Sequence, residues 1–515
     1  MVVIGEHFLT TEDFKKLLYG GEMIEISSEA KGRVSRSFDF LRSFHRDKII
    51  YGINTGLGPM AQYRIEDEDR INLQYNAIRS HASGCGQPVD PVYVRSSLIV
   101  LLNNFLQGHS GIHPEVVELI SRFINNDISP VVPEHGGVGA SGDLVQLAHI
   151  ALALIGEGDV NFGGRVIPAA EAMRKSGLEP IKVHIREGLS LINGTCFMTG
   201  TGMVNIIHAR NLVSWALIAS AMINEIVHSC DDSFSKELNE VKKHPGQRDV
   251  ARVIREILAD SNLIRKRENE FYNNNHNHTK KILNDKVQEY YSIRCVPQIA
   301  GPVLDTIRES EKVLLNEANS SCDNPMIDDE NLNIYHGGNF HGDYVSFEMD
   351  KVKIAVAKLS LLIDRQINYL MNDKLNNILP PFVNLGKLGV NFGMQGAQFT
   401  STSTVAENQS VSFPNYLHSI PNNNDNQDIV SMGTNSALLA RRVIDNTYQV
   451  LAIQMLSLVQ AIDYLRIEDN LSSRTRQAYR QIRDIVPVFV EDTVKYPEIR
   501  LIKDFLFSRL LSFFD

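Results

Sequence analysis

Three long stretches of this 515-residue chain carry apolar residues at helical spacing with no breaker. They are "MVNIIHARNLVSWALIASAMINEIVHS" (203–229), "MDKVKIAVAKLSLLIDRQINYLMND" (349–373) and "NSALLARRVIDNTYQVLAIQMLSLVQAIDYL" (435–465). Globular helices usually run about 10–14 residues, so these runs predict a bundle of long helices. No alternating strand series and no internal repeat accompanies them. The expected fold is mainly α. A loop-rich N-terminal domain, 1–200, is punctuated by glycine and proline and holds short motif-dense segments (51–63, 80–88, 135–143). It feeds a long-helix domain, 201–515.

Composition narrows the function classes. Hydrophobic residues make up 43% and charged residues 22%, enough for a sizeable core. The net charge of −10, with no long basic run, argues against a nucleic-acid surface. Cys85, Cys196, Cys230, Cys295 and Cys322 lie far apart without C-x-x-C spacing. Buried or idle thiols in a reducing compartment are expected, not a zinc ribbon or redox pair. The N-terminal "MVVIGEHFLTTEDFKK" has neither the basic start nor the apolar core of a signal peptide. The longest uncharged stretch, 188–209, holds four glycines with Ser, Asn, Thr and His, and does not read as a lipid-facing helix. A cytoplasmic location without a membrane partner is expected. "FYNNNHNHTKK" (271–281) contains His276 and His278, but an H-x-H lacking carboxylate partners reads as an exposed loop rather than a metal site.

The hexapeptide "GVGASG" (137–142) matches the dinucleotide fingerprint G-x-G-x-x-G letter for letter. That fingerprint is informative only between a strand and a helix. A helix is expected over 143–155, ending at Gly156-Glu157-Gly158. The preceding "NDISPVVPEHGG" carries Pro130 and Pro133, poor company for a central parallel strand. Another chemistry suits Ala140-Ser141-Gly142. Attack of the Gly142 nitrogen on the Ala140 carbonyl closes a five-membered ring, which needs small side chains and a sharply folded backbone. Loss of two waters, one from ring closure and one from the serine side chain, leaves a methylidene-imidazolone. This electrophile would sit at a helix N-terminus, where developing negative charge is favoured. Alone, the tripeptide reads as an ordinary turn before a helix.

The wider context resembles the aromatic amino acid ammonia-lyases: histidine, phenylalanine and tyrosine ammonia-lyases and the related aminomutases. "GGVGASGDLVQLAH" (136–149) is similar to their signature, "YGINTGLGPMA" (51–61) to their tyrosine loop and "SHASGCG" (80–86) to their selectivity segment. "LINGT", "YYSIRCVPQ", "DNPMI", "GGNFHG" and "NDNQDIVSMG" have counterparts in the same order. The resemblance implies an ammonia-lyase/fumarase-like helical protomer in a homotetramer, with each site shared between subunits. It implies removal of ammonia and a β-hydrogen from an amino acid. The ring built from Ala140, Ser141 and Gly142 would serve as the cofactor, with no metal and no diffusible cofactor. Tyr51 would take the β-hydrogen; a phenol titrates near ~10, so it needs a preorganised network to act near neutrality. Arg294 would grip the substrate carboxylate through paired hydrogen bonds. Asn193, Gln288 and Tyr291 would surround the ring and substrate amine, with Phe340 beside them and Leu144 at the start of the next helix.

The substrate signals are mixed. Ser80 and His81 stand where histidine lyases and some tyrosine lyases face the substrate ring. A histidine there can bond an imidazole or a phenol, and makes a phenyl-only pocket unfavourable, since a buried unpaired polar group costs roughly 1–3 kcal/mol. In "SIPNNNDNQD" (419–428), Gln427 stands where histidine lyases have a glutamate, a natural partner for an imidazole N–H. Asn423 matches tyrosine lyases, and Asn426 lies in the same run. The resemblance is closest to tyrosine ammonia-lyases of the Bacteroidetes type, whose product is p-coumarate. L-Histidine is the alternative, then phenylalanine or an aminomutase. An inactive helical scaffold would lack Ser141, Tyr51 or Arg294, and all three are present. Ring formation is checked by intact mass: the chain should weigh less than its sequence by two waters, and Ser141→Ala should abolish the methylidene and most turnover. An unshifted wild-type mass rules the ring out.

Overall fold

The structure is a computed structural model that describes residues 1–273, 282 and 286–514. The three apolar runs form the single helices Cys196–Ile226, Asp343–Met371 and Gly433–Leu465. Cys196–Ile226 is long and apolar enough to cross a membrane by length and composition, but 94% of its most apolar window is buried within protein, as in a core helix. A fourth long helix, Val296–Ala318, has Pro302 inside it. The sequence reading does not include it; an internal proline removes an N–H and usually breaks a helix. Here the buried face of Val303, Leu304, Ile307 and Leu314 carries the helix through.

The N-terminal 200 residues are more helical than a loop-rich reading implies. They include Ser28–Phe44, Arg70–His81, Pro91–Leu106, Pro114–Asn125 and Leu144–Leu154. Pro91 and Pro114 each open a helix, where the fixed φ fits and no intrahelical bond is lost. Much of the proline punctuation therefore marks helix starts. A strand, Pro133–His135, does precede the glycine hexapeptide. It pairs antiparallel with Cys85–Pro88 in a two-stranded sheet. It is not the central strand of a βαβ unit, so the dinucleotide context is missing among the described residues.

The chain divides into two compact units. The first comprises Met1–Ile207, Ser310–Asp350 and Pro414–Arg441; the second comprises His208–Glu309, Lys351–Phe413 and Arg442–Asp515. The first unit thus extends beyond the N-terminal 200 residues, because two later segments return to it.

Two features organise the first unit. Leu41, Ile50, Ile53, Ile327 and Ile334 form an apolar cluster flanked by Phe40, Phe44 and Ile185. Beside it, the fully buried Arg186 bonds Asp323 (2.8 and 3.2 Å), the Pro325 carbonyl (2.7 Å) and the Ser110 carbonyl. Leaving either charge without its partner would cost about 3–5 kcal/mol, so the pair ties these segments firmly together. In the second unit, His208 stacks on Phe507 at 3.8 Å. Burial pushes its imidazole down to about 3, which keeps it neutral there. Gln366 accepts from Gln454 (2.6 Å) and donates to Ser220 (3.0 Å), a buried polar link between three helices.

Candidate active site

A cavity of about 440 Å³ opens in the first unit, a size usual for small-molecule sites. Its lining brings together Tyr51, Ser80, His81, Ser141, Leu144, Asn193, Asn423, Asn426 and Gln427. Apolar side chains, among them Leu57, Leu73, Leu189 and Ile192, make up much of the remaining wall, with Tyr63 and Asn76 beside them. No carboxylate lines it among the described residues.

The Tyr51 loop is rigid for local reasons. Ile50 and Ile53 anchor it in the apolar cluster. Asn54 turns its side chain back on the backbone, accepting from Ile50 N–H (2.9 Å) and donating to the Lys48 carbonyl (2.6 Å). Thr55 Oγ1 accepts from Gly52 N–H at 3.1 Å. The buried Gln74 donates to the Gly52 carbonyl (2.9 Å) and accepts from Leu189 N–H (3.0 Å), joining this loop to helix Glu187–Ile192, which leads into Asn193. The Tyr51 hydroxyl oxygen accepts the Gly58 N–H at 2.8 Å. A donor on that oxygen stabilises negative charge developing there.

The tripeptide lies where backbones approach unusually closely. Gly142 has φ +70°, and a Cβ on it would fall 1.8 Å from the Gly194 carbonyl oxygen. Gly139, at φ +82°, leaves no room either, with Ser431 Oγ 2.1 Å from an added Cβ. Asp143 N–H donates to Gly194 O at 2.8 Å, Gly342 N–H to Gly139 O at 3.0 Å, and Met432 N–H to Val138 O at 3.0 Å. Three distant segments thus grip one short loop. Gln427 Nε2 donates to Ser141 Oγ at 3.0 Å, and the Asp323 carboxylate accepts from Asn193 Nδ2 at 3.3 Å.

Asp143 was missed from sequence. It precedes helix Leu144–Leu154 but makes no side-chain cap to it. Its carboxylate instead accepts Met198 N–H at 2.8 Å, in the first turn of Cys196–Ile226, and the hydroxyl of Thr434, in the first turn of Gly433–Leu465. Burial is the largest influence on it and pushes its carboxyl up to about 7, against the hydrogen bonds from Thr434, Met198 and Phe197 that pull it down. "GDL" after the tripeptide carried no signal that the side chain would turn inward to other helices.

The loop 422–427 explains its run of asparagines. Asn423, Asn424 and Asp425 all have left-handed backbone, φ 56°, 52° and 57°. Asn and Asp tolerate that region better than other side chains. The loop closes through paired backbone bonds between Asn422 and Gln427. On the opposite wall, His81 ends helix Arg70–His81. Its Nδ1 lies 2.8 Å from the Ala77 carbonyl and so carries the proton in that bond; in the neutral ring Nε2 is then the acceptor.

Phe340 is half-buried and is not part of the cavity lining. Its neighbour His341 is closer to the chemistry: Nδ1 is 3.2 Å from the Ala140 carbonyl oxygen, and Nε2 is 2.9 Å from Asp343. The motif "GGNFHG" pointed to this turn, where His341 also reaches the tripeptide. Gln288, Tyr291 and Arg294 belong to the second unit and gather there. Arg294 Nη1 donates to Gln288 Oε1 at 2.6 Å and its guanidinium lies 4.7 Å from the Tyr291 ring centre. Gln366 supports them by donating to the Ser292 carbonyl at 2.8 Å. Tyr291 is exposed. His276 and His278 lie outside the described residues.

The family model for aromatic amino acid lyases matches residues 9–484. A histidine ammonia-lyase from Geobacillus sp. (strain WCH70) is 38% identical over 498 residues, covering 96% of this chain and 94% of that protein. The solved tyrosine aminomutase of Streptomyces globisporus superposes with a TM-score of 0.94 at 34% identity, covering 98% of this chain and 96% of that one. The histidine ammonia-lyase of Trypanosoma cruzi gives 0.86 at 31%, covering 98% and 92%. The fold is the ammonia-lyase/fumarase-like one, and the chain is a carbon–nitrogen lyase. It belongs to the aromatic amino acid lyase family.

Asp143 makes stability depend on pH. The native state holds its proton more tightly than the unfolded chain, where an aspartate titrates near ~3.9. Its contribution is therefore complete below about pH 4 and is lost as pH rises through about 7. Between pH 5 and 8 the urea midpoint of the wild type should fall more steeply than that of Asp143→Asn. Parallel profiles would show that Asp143 is not the titrating group.

Proposed function

We propose that this enzyme is a tyrosine ammonia-lyase, eliminating ammonia from L-tyrosine to give trans-p-coumarate. The observation that carries this reading is the chemistry of the cavity wall. His81 offers an acceptor nitrogen suited to a phenolic O–H, apolar side chains such as Leu57, Leu73 and Leu189 share the lining, and no carboxylate is present among the described lining residues to pair an imidazole N–H. Gln427 stands where histidine lyases have a glutamate, and its neutral amide is a poorer partner for an imidazole N–H.

L-Histidine is the second reading, and relatedness favours it. The curated relatives at 36–38% identity are histidine ammonia-lyases. Phenylalanine and an aminomutase activity follow, the latter supported by likeness to the Streptomyces tyrosine aminomutase. Incubating the enzyme with each amino acid and following the ultraviolet bands of p-coumarate, cinnamate and urocanate decides between them. Tyrosine should turn over fastest. His81→Phe should move preference toward phenylalanine by roughly ten- to hundredfold, the worth of one polar partner of about 1–3 kcal/mol. Urocanate as the sole rapid product would overturn the tyrosine reading, and accumulation of a β-amino acid would favour the aminomutase.

The residues present fit a methylidene-imidazolone made from Ala140, Ser141 and Gly142. The backbone is folded as only glycine allows at 142. His341 Nδ1 faces the Ala140 carbonyl that the Gly142 nitrogen must attack, and a donated N–H there would polarise it. The ring supplies an electrophile that makes the substrate amine a better leaving group. Tyr51 takes the β-proton, with Gly58 N–H stabilising its oxygen. Asn193 and Gln427 orient the polar groups around residue 141, and His81 fixes the substrate ring. Arg294, aligned by Gln288 and Tyr291, binds the carboxylate.

A cytoplasmic homotetramer with sites shared between subunits accompanies this reading. Arg294 and its neighbours would then serve the cavity of another copy. Co-expressing Tyr51→Phe with Arg294→Ala, each nearly inactive alone, should restore part of the activity, because mixed tetramers contain sites with both residues intact. Activity no higher than the single variants would refute sharing of these two residues.

A further inference from the structure

Elsewhere in the first unit, two imidazoles and a carboxylate converge: His113, Glu115 and His184, with one ligand atom from each within 4.8 Å of the others. We propose that this cluster binds one divalent transition-metal ion of the zinc class per chain, at a site separate from the catalytic cavity.

The two histidines are brought together by the fold. The buried carboxylate of Glu187 clamps both backbones, Oε1 accepting the His113 N–H at 2.9 Å and Oε2 the His184 N–H at 2.8 Å. The two rings lie 4.6 Å apart, tilted by 32°. Phe38 sets its ring edgewise against both, at 5.0 and 5.9 Å. A clamp beneath and an aromatic wall beside them limit how far either ring can swing.

The donor set selects the ion. Two imidazole nitrogens and one carboxylate oxygen suit zinc, cobalt or nickel, whereas magnesium and calcium favour oxygen donors. Both histidines are half-exposed and Glu115 is exposed, so an ion and a completing water have a path in. Zinc–nitrogen bonds of about 2.0–2.1 Å place tetrahedral ligand atoms about 3.3 Å apart. The donor atoms now lie within 4.8 Å of one another. His113 Nδ1 is already 3.6 Å from Glu115 Oε2. The one bond at stake is the long 3.3 Å contact that Nδ1 accepts from Glu115 N–H, which the ion would replace. Binding would cross-link the start of helix Pro114–Asn125 to the segment leading into Glu187–Ile192, and so stabilise the native state by mass action.

The test is calorimetric titration of Zn²⁺ into the untagged, full-length enzyme, with Mg²⁺ as the hard-ion control. One Zn²⁺ per chain should bind, and Mg²⁺ should not compete. His184→Ala and Glu115→Gln should each weaken binding by at least about tenfold. A His276→Ala/His278→Ala variant should bind as the wild type does. Co²⁺ should give visible d–d absorption that His184→Ala loses. Unfolding temperatures in EDTA check that His184→Ala folds, and the exposed Glu115→Gln carries the test if it does not. Absence of stoichiometric Zn²⁺ binding, unchanged affinity in the ligand variants, or loss of the ion in the His276/His278 variant would each overturn the proposal.

Discussion

One buried carboxylate, Asp143, meets the starts of three helices in the first unit. It precedes Leu144–Leu154, accepts an N–H from the first turn of Cys196–Ile226 and takes a hydroxyl from the first turn of Gly433–Leu465. Helix N-termini carry unsatisfied N–H groups and partial positive charge, so an acidic group is the natural filler. Full burial opposes its ionisation. The loop that ends at Asp143 has little freedom left, since Gly142 is pressed on Gly194 and Gly139 on Ser431. Ser141 faces the cavity because everything behind it is fixed.

The same logic runs through the remaining walls. Asn193 is held by Asp323, which is held by Arg186. The Tyr51 loop is held by Gln74, which also binds Leu189 just upstream of Asn193. Positions on the cavity are thus set by buried polar groups one step removed. Such groups are costly if left unpaired, which makes the arrangement specific as well as stable.

Long periodic runs made the helical architecture legible, since the spacing of apolar residues reports helices directly. Val296–Ala318 was not legible because Pro302 masks a helix that tertiary burial enforces. Proline at helix starts made the N-terminal region look more open than it is. Ser141, Tyr51, His81 and Gln427 were singled out from motif context, and they line one cavity. Asp143 and His341 were not, because their importance lies in which distant backbone they reach. The pairing of His113 with His184 was invisible for the same reason: nothing in either local sequence announces the other.

The grip on the 137–142 loop also has a consequence in time. Two of the segments that hold it, around Gly342 and Met432, emerge from the ribosome long after Ala140-Ser141-Gly142 has been made. Until they arrive, the tripeptide lacks the backbone bonds from Gly342 and Met432 that hold its loop in the native fold. If the ring forms as proposed, its chemistry waits for nearly the whole chain to be synthesised and folded. The reactive group would then be absent from every nascent intermediate, where it could do harm, and present only once a finished cavity encloses it.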